Sequence, residues 1–250
     1  MSPETFITVG SVAVVVLVFL ILSRRKGIPR RSGKIDAAQG AILPHFAEIA
    51  DLEQNLAAAR KSGDQRAEGR ALRALAYGHL LRGDSQKAIE LHNEDLTSAR
   101  SLGSRSGERD AFANIGVAHA DLGQIREAIP YFQEALTISR EIEDRMGEAD
   151  ALVCLGNAHA TLDETEEAVA LFEQSIVVAR AIDNQASVAF TSSNLADAYE
   201  KLGDLPHAIE ALERYVSFVR AAETPGIEDD EARIEALRAR LAQQQGKGEG

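Results

Sequence analysis

The chain has 250 residues, 45% of them hydrophobic, and carries 27 Lys and Arg against 39 Asp and Glu, a formal net charge of −12. That acidity argues against a nucleic-acid binder, whose contact surface must be basic. A single cysteine, Cys154, rules out an intramolecular disulfide and fits a reducing compartment.

The N-terminus opens with a four-residue stretch, 1–4, and then an apolar run. Phe6–Leu22 holds no charged residue, and Thr5 and Ser23 extend it to a candidate transmembrane helix over 5–23. Its 17 uncharged residues span about 26 Å at the helical rise, and the two flanking residues bring it to the length of a bilayer core. No Lys or Arg precedes the run, so it lacks the basic start of a cleavable leader. Arg24, Arg25, Lys26, Arg30, Arg31 and Lys34 follow it, within a linker over 24–43. By the positive-inside rule this basic run holds the C-terminal side in the cytoplasm. The expectation is an uncleaved single-pass anchor in a bacterial inner membrane, with a short extracytoplasmic N-terminus. The same six cations can meet anionic lipid, at about 1 kcal/mol each near the surface. Beyond residue 34 the chain carries 21 Lys and Arg against 38 Asp and Glu.

From Asp64 onward four blocks align without a gap at a period of 40 residues: 64–103, 104–143, 144–183 and 184–223. An internal period in this range signals a solenoid, in which each repeat covers its neighbour's apolar face. One column reads Leu75, Ile115, Leu155, Leu195. The next holds only small residues: Ala76, Gly116, Gly156, Ala196. Ala88, Ala128, Ala168 and Ala208 form an invariant column, and four residues on come His92, Phe132, Phe172 and Leu212. Apolar positions three and four apart mark helix faces. Gly83, Gly123, Asp163 and Gly203 separate two helical halves, at positions where a residue with φ > 0 ends a helix. Each block therefore reads as helix, tight turn, helix. Pro130 falls inside the second helix of its block, where its missing N–H predicts a local kink.

Arg60, Arg100, Arg140, Arg180 and Arg220 recur at the ends of second helices, where a cation offsets the helix dipole. Arg60 implies a half-repeat over 44–63 before the first full block. At the other end Thr224 and Pro225 suit an N-cap and first helical position of a capping helix over 224–245. Ile227, Ile234, Leu237 and Leu241 give that helix one apolar side, and residues 246–250 read as a disordered tail.

These columns resemble the tetratricopeptide repeat (TPR). Phe112, Ile115, Gly116, His119, Ala128, Phe132 and Ala135 match its pattern, and so do Leu152, Leu155, Gly156, His159, Ala168, Phe172 and Ser175. The usual family period is 34. The longer repeat is similar to those of kinesin light chains and of Leu-Gly-Asn scaffolds, whose name motif recurs as Leu155-Gly156-Asn157. The resemblance implies an all-α superhelical solenoid of antiparallel helix pairs that binds another protein or peptide in a concave groove lined by first helices.

Carried over residue by residue, the groove positions are Arg70, Arg73, Tyr77 and Leu81 in the first block, and Asp110, Asn114, Val117 and Asp121 in the second. The third supplies Asp150, Val153 and Asn157, and the fourth Phe190, Asn194, Asp197 and Lys201. Such a groove would run from basic and aromatic, through apolar, to acidic. Asn114 and Asn194 suit hydrogen bonds to a peptide backbone. Tyr77 stands where the carboxylate-clamp pattern of chaperone cochaperones needs its first Asn, which disfavours a chaperone tail as ligand.

No catalytic constellation emerges. His79, His119 and His159 recur once per repeat, so equivalent helices hold them about 10 Å or more apart, too far to share a metal. They read as packing residues with a polar tip. There is no phosphate loop, Gly-x-Ser-x-Gly or Cys-x-x-Cys motif. Cys154 has no paired histidine in the pattern and reads as packing. The expectation is a non-enzyme with no cofactor, no metal and no nucleic-acid partner. A membrane-tethered adaptor fits best; a self-assembling scaffold (a homo-oligomer) and a ligand-responsive sensor are the alternatives. If the topology were reversed, a periplasmic chaperone or envelope-assembly factor would fit.

Overall fold

A computed structural model describes residues 48–222 and 227–248. The apolar run at 5–23, the basic run at 24–34 and residues 44–47 of the expected half-repeat lie outside the described residues, as do Thr224, Pro225 and residues 249–250. Ten α-helices account for nearly all of what is described: α1 Ile49–Ser62, α2 Gln65–Leu81, α3 Ser85–Ser101, α4 Arg105–Asp121, α5 Ile125–Glu141, α6 Arg145–Thr161, α7 Thr165–Ala181, α8 Gln185–Leu202, α9 Leu205–Ala221 and α10 Glu228–Gly248. They divide into two compact units, one ending at Glu143 and one beginning at Asp144. Within each unit successive helices pack on one another, in the antiparallel stacking of an all-α TPR-like solenoid.

Helix starts are chemically marked. Asp64 accepts from the backbone N–H of Arg66 and Ala67, Ser104 from Gly107, Asp144 from Gly147 and Asn184 from Ser187. Each N-cap satisfies a donor that the first turn leaves orphaned. Helix ends are marked by left-handed residues, and here the structure holds more than the single turn per repeat read from the sequence. Gly83, Gly123, Asp163 and Gly203 have φ between 64° and 82°, as expected. A second set, Gly63, Gly103, Glu143 and Asp183, closes the other end of each pair with φ between 54° and 72°. The eight positions are spaced 20 residues apart, so every half-repeat has one length. The end of α2 shows the bonding: Asp84 N–H donates to His79 C=O at 2.9 Å and Gly83 N–H to Leu80 C=O at 3.0 Å, a Schellman pair that satisfies the last carbonyls.

Packing explains the small-residue column. A Cβ added at Gly116 would lie 2.6 Å from Phe132 Cε1, and one at Gly156 would lie 2.5 Å from Phe172 Cε1. The rings therefore rest on bare backbone. Where the column holds alanine instead, the facing residue is His92 or Leu212, so volume is conserved across the pair. The invariant Ala88, Ala128, Ala168 and Ala208 are all fully buried. In the second unit Phe172, Leu195, Leu212 and Leu237 join one core, and α10 closes it with Ile234 and Leu237.

Two boundary expectations change. The capping helix starts at Glu228, not at Pro225, with Ile227 C=O accepting from Glu231 N–H at 2.9 Å. Glu228, Asp229, Asp230 and Glu231 in the first turn complement the positive end of the dipole there. The helix also continues to Gly248, into the segment expected to be disordered, because the Gln243–Gln245 run is a good helix former and each added residue completes a hydrogen bond. Pro130 is accommodated inside the continuous helix α5. It is exposed, as is Arg126, so the carbonyl it leaves without an N–H partner can bond water.

Two measurements check this packing logic. Gly156→Ala should cost about 1–3 kcal/mol in urea unfolding, as overpacking does, and Phe172→Leu in the same chain should recover most of that loss, reproducing the Ala196–Leu212 pairing. Glu143→Gly should instead stabilise the chain by roughly 1 kcal/mol, because it relieves a left-handed backbone that disfavours any Cβ.

Candidate functional site

Side chains of first helices meet their counterparts in the next repeat at a fixed separation. In the first unit Arg73 Nη1 donates to Asp110 Oδ2 at 3.0 Å, 37 residues on. In the second, Asn194 Nδ2 donates to Asn157 Oδ1 at 3.2 Å, again 37 residues apart, and Arg233 lies 2.7 Å from Asp197. These pairs define one first-helix face per unit, and most positions implied by the resemblance lie on them. Arg70, Arg73, Tyr77, Leu81, Asp110, Asn114 and Asp121 are half-buried or exposed in the first unit; Asp150, Asn157, Phe190, Asn194, Asp197 and Lys201 are so in the second. Val117 and Val153 are the departures. They are 2% and 3% exposed, and Val153 belongs to the core of its unit, so neither offers a surface to a ligand. Val117 shares its column with Tyr77, Asn157 and Asp197, and Val153 shares its column with Arg73, but these two short apolar side chains are covered by their neighbours.

The expected charge gradient is largely spent inside the protein. Arg73 is held by Asp110 and by Asp95, Lys201 pairs with Asp163, and Asp121 accepts from Ser85. At the acidic end Arg233 and Arg240, from the capping helix, reach Glu200. The pairs Arg73–Asp110, Ser85–Asp121, Asp163–Lys201 and Glu200–Arg240 lie 36–40 residues apart in sequence. Opposite charges at one repeat's separation were the signal that could have found them. Phe190 keeps 46% of its surface exposed and sits 6.4 Å from Tyr215, ring centre to ring centre. Arg70 is exposed beside an apolar cleft of about 490 Å³ lined by Leu52, Ala59, Ala71 and Ala74.

The histidine column serves the turns. His79 Nδ1 lies 3.1 Å from Asp84, His119 Nδ1 2.7 Å from Gln124 and His159 Nδ1 2.7 Å from Glu164, in each case the N-cap residue of the following helix. Tyr199 takes the fourth place, and there His207 bonds Asp204 and stacks on the tyrosine ring at 5.1 Å. The arginine column is also more than a dipole partner. Arg60 pairs with Glu68 at 2.9 Å and Arg220 with Glu231 at 2.5 Å, tying a second helix to the first helix that follows. In the fourth block Val188 stands in the glutamate's column. Among the described residues no group of three His, Cys, Asp or Glu is placed to hold a metal. Cys154 is fully buried, and burial pushes its thiol far above the usual range, away from nucleophilic use.

One buried polar cluster was not read from the sequence. In the first unit Asp95 is 2% exposed and its Oδ2 lies 3.2 Å from Arg73 Nε, an ion pair without hydrogen-bond alignment. His92, fully buried beside it on α3, leaves Nδ1 without a hydrogen-bond partner. Gly69 makes room: a Cβ there would lie 3.0 Å from Asp95 Oδ1. Burial pushes Asp95 up to about 6, against the pull of Arg73 and with Asp110 adding to the rise. Burial, then Arg73, pushes His92 down to about 4. The equivalent positions elsewhere hold Phe132, Phe172 and Leu212 for His92, and Ala135, Ser175 and Tyr215 for Asp95.

Residues 107–181 and 147–221 match the family model of the tetratricopeptide repeat. No curated protein matches the chain. Among solved structures, BtubC (BKLC) from P. vanneervenii is similar over 78% of this chain and 91% of that one, at 20% identity and a TM-score of 0.65. Aspartyl phosphate phosphatase F from Bacillus subtilis aligns over 70% of this chain and 45% of that one, at 14% identity and a TM-score of 0.64. The nearly identical TPR-like repeats of a putative kinesin light chain from Podosopora anserina align over 71% and 89%, at 22% identity and a TM-score of 0.55. At these identities the likeness is one of fold.

The buried pair makes opposite contributions to stability. Asp95 keeps its proton in the folded state up to about pH 6, whereas the unfolded chain loses it near 3.8, so stability falls as pH rises through that window. His92 accepts a proton in the unfolded chain near 6.5 but in the folded state only near 4, so its contribution rises with pH over almost the same window. In the parent chain the two nearly cancel. Relative to the parent, His92→Leu should lose on the order of 2–3 kcal/mol between pH 4 and 6.5, and Asp95→Ser should gain a similar amount, both read by urea unfolding at each pH. The patterned residues, the family model matched over residues 107–221 and the shared fold agree: that stretch carries repeats of the tetratricopeptide type.

Proposed function

We propose that the chain is a membrane-anchored TPR adaptor that presents its first-helix faces to a cytoplasmic protein. The repeats are those of a protein-interaction scaffold, and such repeats are typically non-catalytic. The observation that carries the reading is the first-helix face of the second unit. There Asn157 and Asn194 offer amide groups beside the exposed ring of Phe190, a combination suited to a peptide backbone and an apolar side chain. The anchor rests on the sequence alone: the uncharged run at 5–23 followed by Arg24, Arg25, Lys26, Arg30, Arg31 and Lys34. Among the described residues no helix is long and apolar enough to cross a membrane, and both runs lie outside them. The acidic repeats resist adsorption to anionic lipid, so the basic linker would be the part in contact with the bilayer.

Topology is the first test. A fluorescent reporter active only in the cytoplasm and an enzyme active only outside it, each fused after Gly250, should give signal from the first alone. Activity of the second would reverse the orientation and direct the partner search to the periplasm.

A further inference from the structure

Two arginines of α10 reach back onto α8. Arg233 Nη2 lies 2.7 Å from Asp197 Oδ1 and donates to Glu200 Oε2 at 2.7 Å, while its Nε donates to the same oxygen at 3.1 Å. Arg240 Nη1 donates to Glu200 Oε1 at 2.7 Å. A single carboxylate thus holds two guanidinium groups. Burial pushes the Glu200 carboxyl upward, but the hydrogen bonds from Arg233 and Arg240 outweigh it and hold the group below the usual range.

These pairs are accessible to solvent. Each pair has one well-exposed member, Asp197 at 62% and Arg240 at 51%, against 33% for Arg233 and 28% for Glu200, so exchange at the exposed member does not require the helix to leave its seat. Ion pairs of this kind contribute little net stability. The seat depends instead on Ile234 and Leu237, which are buried in the core of the unit. Phe190, Asn194 and Asp197 stand at i, i+4 and i+7 of α8, on one helix face. An exposed ring, an amide and a carboxylate therefore follow one another along the helix, with Glu200 just beyond. The surroundings favour cations: residues 144–250 carry 21 Asp and Glu against nine Lys and Arg.

We propose that this face of α8 docks an extended, arginine-bearing segment of a partner protein, with Arg233 and Arg240 as built-in competitors for the same carboxylates. A guanidinium would suit it better than an ammonium. The planar fork can bridge a carboxylate as Arg233 does, and it stacks on an aromatic face such as that of Phe190. The chain's own arginines show that the carboxylates accept this geometry. They also set a threshold: an incoming segment must bring more than one arginine, or a contact to Phe190, to displace two intramolecular ones. The proposal rests on the reading of the chain as a protein-binding adaptor and adds the chemistry of its ligand.

The test is fluorescence anisotropy of the full chain with labelled hexa-arginine and hexa-lysine peptides at physiological salt. Hexa-arginine should bind the tighter. The double variant Arg233→Ala, Arg240→Ala should bind it at least fivefold more tightly, and Asp197→Asn with Glu200→Gln should weaken it tenfold or more. Phe190→Ala should weaken hexa-arginine more than hexa-lysine. Arg233→Lys with Arg240→Lys serves as a second variant; it keeps the charge, removes the forks, and should tighten hexa-arginine about twofold. Binding that is absent, or unchanged by Asp197→Asn with Glu200→Gln, would overturn the proposal, as would no tightening in either arginine variant. Peptide attraction would then be diffuse charge. The topology reporters are indifferent to these residues, so failure here is separable from failure of the adaptor reading.

Discussion

The ring of a second-helix phenylalanine lying on the bare backbone of a first helix sets how closely a helix pair can pack. Phe132 on Gly116 and Phe172 on Gly156 leave no room for a methyl group. Phe132 and Phe172 are fully buried, and the cost of displacing so large a side chain fixes the pair's spacing. Everything on the first-helix face inherits that spacing. The 37-residue contacts between successive first helices close only if each pair presents its first helix at the same depth. The 20-residue rhythm of left-handed residues serves the same end by giving each half-repeat one length.

The first full repeat obeys the volume rule and breaks the polarity rule. His92 fills the phenylalanine's place, and Asp95 sits where another repeat has alanine. Burying these groups is costly unless each is paired, and the pairing is incomplete. The one charged neighbour within reach of Asp95 on α2, Arg73, also bonds Asp110 on the exposed face. A carboxylate in the interior thus helps to hold an arginine at the surface. Replacing Asp95 by the serine of the third repeat would free Arg73 to follow Asp110 alone. No other repeat couples its core to its face in this way, because alanine, serine and tyrosine at the equivalent positions carry no charge.

The helix pairs, their turns and the capping helix were legible in the sequence because they rest on columns of size and hydrophobicity, which survive in a one-dimensional reading. The second set of turns was hidden: Glu143 and Asp183 hold left-handed φ without being glycine, and only the spacing from Gly63 and Gly103 gives them away. Val117 and Val153 occupy the same register positions as the exposed Asp197 and the half-buried Arg73, yet their short side chains are covered, which a register of positions does not reveal. The sequence reading took the charged residues of the face as a gradient from basic to acidic and did not pair them. Arg73, Asp197 and Lys201 each find a partner within the chain, and those partners become neighbours only when the repeats stack.

On the proposed reading of the α8 face, stacking and recognition draw on the same groups of the capping helix. Its first turn starts three residues later than the repeat pattern suggests, yet Arg233 meets Asp197 from 36 residues away, almost the separation of Arg73 and Asp110. It therefore behaves as a fifth first helix in register, with arginines where an incoming ligand would need them. A polar ladder that aligns repeats must be satisfied when nothing is bound, or the acidic face would repel itself. The same ladder must release its charges when a partner arrives, or it could recognise nothing. Accessible ion pairs meet both demands, because water can replace either member at little cost. Buried pairs such as Asp95 with Arg73 meet only the first, since removing one member strands the other in the core. The second unit places its exchangeable pairs on the rim and its fixed contacts, Ile234 and Leu237, in the core, which separates holding the helix in place from occupying the face.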